Sequence, residues 1–381
     1  MGKSLGHIFL LMLLVIPCKG QVGRSLEADI QYIIDRYKAV GASVVAVKDN
    51  RIVYTRSFGY NPDYNDTTLR IAIPSNGVYV IASISKSFIS TAIMQLAEKG
   101  KLKLNDDVNK YLDFRVRNPK YSDVPITVRM LMSHRSTIND KHYGWNLNQI
   151  NPKRGKKWQE CYNDYKPGTK FSYCNLNYNL LGAIIEKVSG ERFFDYIDEN
   201  IMSPLGLNAS YNLTKIDSTR LVKALKYDSK EKIFKKDASI YNYQYYVKQL
   251  KNYKLGYSTA CFSPSGGVKI SALDLAKYMM MHMNYGEYDG KRIISKAGDI
   301  KLWTPISDDS EYALVFFRTK EIIPGEDVVG IRGGAHGVHS AMYFSPVKKF
   351  GFIVICNGCT AENKMKNGIA VKLYEHLILN R

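Results

Sequence analysis

Strand-forming segments lie at both ends of this chain, and amphipathic helical segments lie between them. A hairpin signature covers residues 43–54. The C-terminal part returns to β-rich runs at 312–317, 340–344 and 350–356. Apolar residues at helical spacing predict helices over 24–39, 83–99, 176–188, 272–284 and 363–379. The pattern predicts an α/β (α+β) fold in which both chain ends build one sheet and a mostly helical region is inserted.

The charge of the chain is strongly basic. Its 381 residues include 54 Lys and Arg against 35 Asp and Glu, a formal net charge of +19. The basic residues are scattered and do not alternate with an aromatic RNA-reading motif, so nucleic acid is not expected as a partner. Adhesion to an acidic polymer and a basic surface without a role are the two interpretations that remain. The 45% of hydrophobic residues favour a large core and exclude a disordered chain.

Residues 1–20 have the pattern of an export signal. Lys3 precedes an apolar run over 8–16, and the segment ends just before Gln21. The run is too short to span a bilayer, which takes about 20 residues. We therefore expect a signal peptide over 1–20 and a periplasmic or secreted protein over 21–381. The alternatives are an uncleaved anchor and a lipid-modified Cys18, the one predicted route of membrane attachment.

Five cysteines follow the predicted leader, so at least one thiol is unpaired. Cys356 and Cys359 form a single C-x-x-C motif. A zinc site would need a second pair, so no metal is expected. A tight disulfide and two plain thiols both remain open for this motif.

Ser83 and Lys86 form an S-x-x-K motif at the start of a predicted helix. A spacing of three places both side chains on one helix face, and the helix start offers free backbone N–H groups to a developing oxyanion. Serine needs a nearby base to act as a nucleophile, and a Lys whose charged form is disfavoured by burial can supply it. The alternative is an exposed Ser beside a solvated Lys.

Tyr173 and Asn175 form a Y-x-N motif directly before the helix predicted at 176–188. A Tyr hydroxyl can transfer a proton, and an Asn amide can hold a substrate carbonyl. The alternative is a turn with a buried Tyr and an Asn that caps the helix.

The order S-x-x-K followed by Y-x-N resembles the serine β-lactamase and penicillin-binding-protein superfamily. The flanking sequence is more similar to the class C β-lactamase-related branch, which includes D-Ala carboxypeptidases, D-aminopeptidases and esterases. Similar stretches extend over about residues 28–376, and the most similar ones lie at 81–88, 126–134, 264–267 and 271–276. Within 126–134, the resemblance makes His134 structural, near the chemistry but outside it.

The third element of that family is a K-T-G or H-x-G on the strand that lines the site. Its best counterpart is 330–334, where Ile331 takes the place of the Lys or His. Arg332, His336 and His339 are the candidates for the missing polar group. The departure favours hydrolysis of another ester or amide over efficient penicillin hydrolysis.

The resemblance implies a β-lactamase/transpeptidase-like fold with an antiparallel sheet. It divides the domain into a sheet lobe, 21–72 with 300–381, and a helical lobe, 73–299, with the site between them. It implies an acyl-enzyme hydrolase or acyltransferase that needs neither metal nor organic cofactor. The substrate would be a small-molecule or peptide-like acyl compound. The alternative function is a non-catalytic binding or sensing member with a degenerate third motif.

The resemblance also assigns roles to the site residues. Ser83 is the nucleophile, Lys86 the base and Tyr173 the proton relay. The backbone N–H groups of Ser83 and Gly334 form the oxyanion hole. Substrate binding falls to Asn175, Arg332, Gly333, Gly334 and His336. The Tyr-rich segment within 228–257 has no assigned role; it is either a pocket wall or lid, or a surface insertion.

Overall fold

A computed structural model describes residues 24–66, 68–237, 239–307 and 311–379. The strands are β1 Gly41–Lys48, β2 Arg51–Pro62, β3 Arg70–Ala72, β4 Val78–Val80, β5 Leu225–Asp228, β6 Ile233–Lys236, β7 Lys269–Ser271, β8 Glu287–Tyr288, β9 Lys291–Arg292, β10 Phe317–Thr319, β11 Val328–Ala335, β12 Val338–Ser345 and β13 Phe350–Cys356. The helices are α1 Leu26–Arg36, α2 Ser85–Glu98, α3 Val128–Met132, α4 Asn175–Ser189, α5 Phe193–Ile197, α6 Tyr243–Lys251, α7 Ala272–Met283, α8 Lys296–Trp303 and α9 Glu362–Leu373.

A seven-stranded sheet in the order β10-β11-β12-β13-β1-β2-β3 forms the main layer. Its strands pair antiparallel throughout, and β1 lies between β13 and β2. Most helices come from the residues between β4 and β10. The prediction of an antiparallel sheet built from both chain ends, with a mostly helical region inserted, is confirmed.

Both faces of the sheet are covered, which explains why β1 is buried along nearly its whole length. Val44 and Ala46 share a core with the terminal helices, including Ile30 and Ile369. The alternate residues Val45 and Val47 belong to the second core, which includes α2, α4 and α7. Because side chains alternate across a strand, a strand with two covered faces is apolar at every position.

The prediction of a strand over 312–317 is wrong. In the structure, β10 begins only at Phe317, and Tyr312 makes an isolated bridge to it. The backbone between them turns back, since Ala313 N–H donates to the Phe316 carbonyl. Ala313, Leu314, Val315 and Phe316 are all buried. The run is apolar because it fills the core as an irregular segment, and a short apolar run does not distinguish this from a strand.

The helix predicted over 83–99 is present, but its α-helical part begins two residues later than predicted. Residues 82–84 form a single 3₁₀ turn, and α2 starts at Ser85. The other four predicted helices are present as α1, α4, α7 and α9. The last of these continues into a π-helical turn, Tyr374–Ile378.

The segment 228–257 begins at the end of β5 and contains β6 and α6. Tyr246 is buried against the core, and Tyr243 is exposed. Among the described residues, those that line the cavity at Ser83 lie outside this segment. The segment instead contacts the edge of the cavity through Asp237, whose Oδ2 lies 2.8 Å from His336 Nδ1.

Cys356 and Cys359 are free thiols in the structure. The predicted leader, with Cys18, lies outside the described residues. Over the part of the chain that the structure describes, no helix has the length and hydropathy needed to cross a membrane.

Lys269 is a buried amine next to the strand that leads to Ser83. It lies on β7 opposite Val80 and is 1% exposed. Its Nζ donates to the Tyr211 carbonyl at 2.6 Å and to the Tyr246 hydroxyl at 2.8 Å. Burial lowers the pKa of Lys269 to about 7.

We expect Lys269→Met to change how stability depends on pH. An unfolded Lys titrates near pKa ~10.4, so between about pH 7 and 10 the unfolded chain binds more protons than the folded one. The folded wild type therefore gains stability as pH rises through this window, by on the order of 1 kcal/mol per pH unit. Urea denaturation at several pH values should show the wild-type minus variant difference rising with pH. A constant difference, like that expected for exposed Lys248→Met, would contradict this.

Candidate active site

Ser83 lies in the 3₁₀ turn that joins β4 to α2. The turn is fixed on both sides: Ile81 N–H donates to the Val268 carbonyl at 3.0 Å, and the Ile81 carbonyl accepts from Ser340 Oγ at 2.7 Å. Ala82 has a positive φ of 48°. The turn therefore holds Ser83 between the helical region and strand β12.

The S-x-x-K and Y-x-N motifs meet at the Ser83 hydroxyl. Ser83 Oγ lies 2.6 Å from Tyr173 Oη and 3.1 Å from Lys86 Nζ. Lys86 follows in the first turn of α2, which brings its amine back over Ser83. The hydroxyl thus has one partner that can accept its proton and one that can donate to it.

Lys86 is almost completely enclosed, with 1% of its surface exposed. Its Nζ donates to Asn175 Oδ1 at 2.8 Å and to the Ser265 carbonyl at 2.7 Å. The Tyr173 ring lies 4.9 Å from the amine. Among the described residues, the hydrogen-bond partners of Lys86 include no carboxylate.

A single loop holds the backbone of the Y-x-N segment. Cys174 N–H donates to His134 Nδ1 at 3.1 Å. Asp140 accepts from Asn175 N–H at 2.8 Å and from Leu176 N–H at 2.9 Å. These contacts place Tyr173 and Asn175 at the start of α4, facing Lys86.

His134 is buried beside the site, and its hydrogen bonds among the described residues go to Cys174 and Asn177 rather than to Ser83. Burial, and then the charge of nearby Lys86, hold the pKa of His134 well below its usual range. Its neutral ring lies 4.5 Å from the Tyr173 ring, centroid to centroid. In the structure, the His134 ring therefore packs against the Tyr173 ring.

Gly333 allows strand β11 to approach the nucleophile turn. A Cβ at this position would lie 2.3 Å from the Ile81 carbonyl and 3.0 Å from Ser83 N. Real Cβ atoms do not come so close, so only glycine fits without a shift of the backbone. Gly334 follows on the same strand and also lines the cavity.

Ile331 faces away from the cavity. Its side chain is 5% exposed and belongs to the core that includes α2 and α4. Arg332 lines the cavity instead. Its Nε donates to Tyr343 Oη at 2.8 Å, and its guanidinium lies over the Phe317 ring at 5.1 Å.

His336 lies at the tip of the β11–β12 hairpin with a φ of 55° and lines the cavity edge. Its Nδ1 lies 2.8 Å from Asp237 Oδ2. His339, the third candidate for the missing polar group, contacts the Glu362 carboxylate at the start of α9 through its Nδ1.

One cavity of about 500 Å³ includes all the predicted site residues except Lys86, whose amine lies behind Ser83. The cavity is also lined by residues that were not predicted from the sequence as site residues. These are Tyr143, Ser263, Ser265, Glu362, Asn363 and Lys366. The stretch 264–267 was a usable signal for Ser265. No local pattern marks Glu362 or Lys366, because the fold alone brings α9 to this cavity.

Comparison with known proteins agrees with the fold. A family model described as Beta-lactamase matches residues 26–374. The D-alanyl-D-alanine-carboxypeptidase/endopeptidase AmpH of Escherichia coli is 25% identical over 366 residues, which cover 88% of this chain and 87% of that protein. Protein flp of Staphylococcus aureus is 30% identical over 191 residues, 49% of this chain, and the match spans only 36% of flp.

A solved structure shows the same architecture. The octameric penicillin-binding protein homologue from Pyrococcus abyssi aligns with a TM-score of 0.72 and 27% sequence identity. The alignment covers 93% of this chain and 77% of that one. Since the family match extends over most of the chain, this protein belongs to the Beta-lactamase family.

Proposed function

We propose that this protein is an exported serine hydrolase that acts through an acyl-enzyme on an amide or ester. The observation that carries the proposal is the Ser83 hydroxyl, which lies within hydrogen-bond distance of both Lys86 Nζ and Tyr173 Oη. The hydroxyl opens into a cavity large enough for a small acyl substrate. A nucleophile, a base and a proton donor within contact of one another are the parts that acyl transfer needs.

In the first step, Ser83 Oγ attacks the substrate carbonyl carbon. Unprotonated Lys86 accepts the hydroxyl proton while the new C–O bond forms and the carbonyl electron pair moves to oxygen. The backbone N–H groups of Ser83 and Gly334 stabilise this oxyanion. In known enzymes, loss of one such donor costs about 3–4 kcal/mol of transition-state stabilisation.

In the second step, the bond to the leaving group breaks. Tyr173 passes a proton to the departing amine or alcohol, and its own proton is restored from Lys86. The product is an ester between the acyl group and Ser83. Water or another nucleophile then attacks this ester, which gives hydrolysis or acyl transfer.

Substrate recognition would involve Asn175 and the wall formed by 332–336. Gly333 and Gly334 offer backbone groups to an extended substrate, and Arg332 and His336 add polar side chains. Among the described residues, no carboxylate forms an ion pair with Arg332, whereas His336 is paired with Asp237. Glu362 on the same cavity interacts with the charge of Arg332 but forms no ion pair with it among the described residues. Arg332 therefore keeps donors for a substrate with a free carboxylate, as in a carboxypeptidase reaction.

The second candidate function is a binding or sensing member without turnover. Ile331 favours it, because its buried side chain offers no polar group where the family has a Lys or His. The contacts of Ser83, Lys86 and Tyr173 favour the enzyme.

Export is proposed from the predicted signal peptide over 1–20, with a lipid anchor at Cys18 as the alternative. A substrate outside the cytoplasm, such as a cell-envelope peptide, fits this location.

We expect Ser83→Ala to abolish covalent labelling. Intact-mass analysis would follow the mature protein with a fluorophosphonate and with a labelled penicillin. Ser87→Ala is the matched control, because Ser87 lies one turn further along α2 and its hydroxyl donates to the Ile84 carbonyl. An adduct that persists in Ser83→Ala would refute the nucleophile. No adduct with the wild type would favour the binding function.

Gly333→Ala is expected to slow labelling by about 100-fold, because displacement of a site by about 1 Å has effects of this size. Its Cβ would push β11 away from the Ile81 carbonyl. The rate of fluorophosphonate labelling measures the effect. Gly368→Ala in α9, where the nearest atom lies 3.5 Å from the added Cβ, should label like the wild type. Equal rates for Gly333→Ala and wild type would contradict the close approach.

Arg332→Met should reduce the preference for substrates with a free carboxylate. We expect kcat/KM for an acidic ester, relative to its neutral methyl ester, to fall by about 10–100-fold, the size of a hydrogen bond to a charged group. Arg318→Met on β10 is the control, since Arg318 is paired with Asp327. An unchanged ratio in Arg332→Met would place carboxylate recognition elsewhere.

A further inference from the structure

Asp140 contacts the site from outside both motifs. It lies in the loop after α3, and its carboxylate accepts four hydrogen bonds from the start of α4. The donors are Asn175 N–H at 2.8 Å, Asn175 Nδ2 at 2.9 Å, Leu176 N–H at 2.9 Å and Cys174 Sγ at 3.2 Å. The N-cap residue of α4, Cys174, makes no side-chain cap of its own. Asp140 therefore serves as the cap from another segment, where a negative charge is favoured.

The carboxylate also decides which way the Asn175 amide points. A carboxylate only accepts hydrogen bonds, so the Asn175 atom that faces Asp140 is the donor Nδ2. The amide oxygen, Oδ1, is then directed at Lys86 Nζ, 2.8 Å away.

This orientation fixes the lone pair of an unprotonated Lys86. A neutral amine has two N–H groups and one lone pair. Asn175 Oδ1 and the Ser265 carbonyl are both acceptors, so they take the two N–H groups. The lone pair is left for the third neighbour, Ser83 Oγ at 3.1 Å. Ser83 can then donate its proton to Lys86 while it accepts one from Tyr173.

We propose that Asp140 is a positioning residue that makes Lys86 a base toward Ser83 by fixing the Asn175 amide. The inference rests on the proposed function, because it assigns Asp140 a role in acylation. Among the described residues, Asp140 forms no hydrogen bond with Ser83 or Lys86. It acts on them through Asn175.

Asp140→Asn separates this role from simple helix capping. The new amide oxygen can still accept from Leu176 N–H, but its NH₂ group then meets the donors of Asn175. Rotation of the Asn175 amide relieves the conflict at its side chain and turns Nδ2 toward Lys86, while Asn175 N–H loses its acceptor. The Lys86 lone pair then accepts from Asn175 and is no longer free for Ser83.

The test compares fluorophosphonate acylation of Asp140→Asn, Asp140→Glu and wild type. We expect Asp140→Asn to lower the limiting acylation rate by about 10–100-fold, the size of one hydrogen bond to a charged group, with little change in the half-saturating probe concentration. Asp140→Glu keeps an acceptor-only group and should recover part of the rate. An Asp140→Asn protein that is folded and acylates at the wild-type rate would overturn the proposal.

Glu98→Gln is the matched control for lost capping. Glu98 is the last residue of α2, at the opposite end of that helix from Lys86, and it accepts from Ser295 N–H and Ser295 Oγ before α8. We expect its melting temperature to fall about as much as that of Asp140→Asn, with no effect on acylation. If Asp140→Asn and Glu98→Gln slowed acylation equally, Asp140 would act only as a structural helix cap, and the proposal would be overturned.

A second readout does not depend on activity. With ¹⁵N-labelled asparagine, the Asn175 side-chain NH₂ signals, assigned by their loss in Asn175→Ser, report the bond to Asp140. Asp140→Asn should shift these signals and speed their exchange with water, and unchanged signals would overturn the proposal. If wild type forms no adduct with the probe, the proposed function fails, and the NMR result still decides whether Asp140 orients the amide.

Discussion

The site depends on a close backbone contact between the sheet and the turn that carries Ser83. Strand β11 can approach the Ile81 carbonyl only because Gly333 has no side chain there. Ser340 on the neighbouring strand donates to the same carbonyl. These contacts join the turn that carries Ser83 to strands β11 and β12. They place Ser83 on one wall of the cavity and Arg332 on another.

The helical region contributes a second constraint, because two helices begin at the cavity. The turn at Ser83 leads into α2, and Asn175 is the first residue of α4. Helix starts present free N–H groups and a partial positive charge, which favour negative charge nearby. At the start of α4, the negative charge is the carboxylate of Asp140, which accepts from the N–H groups of Asn175 and Leu176. At α2 the preceding turn places Ser83 on the cavity wall, where the proposed reaction develops its oxyanion beside the Ser83 N–H.

The parts of the site that the sequence could predict are those coded by local spacing. S-x-x-K and Y-x-N each occupy a few residues, and the structure brings Ser83 and Tyr173 within contact. Asp140 and Lys366 could not be found in this way, because the fold alone brings them to the site. The prediction of a strand at 312–317 was wrong for a related reason. A buried segment is apolar whether or not it pairs with a neighbouring strand. The sheet itself was predictable, because alternation and apolar runs are strong signals at both chain ends.

The pairing of β1 with β13 has a consequence for how the protein folds. Ala42 lies opposite Cys356, so neighbours in the centre of the sheet are separated by nearly the whole chain. Contacts between distant residues form slowly, because the intervening chain must first be ordered. On the ribosome, β1 and β2 emerge long before β13 is synthesised. Until then, the edge of β1 that pairs with β13 stays unpaired and apolar, which exposes the nascent chain to aggregation.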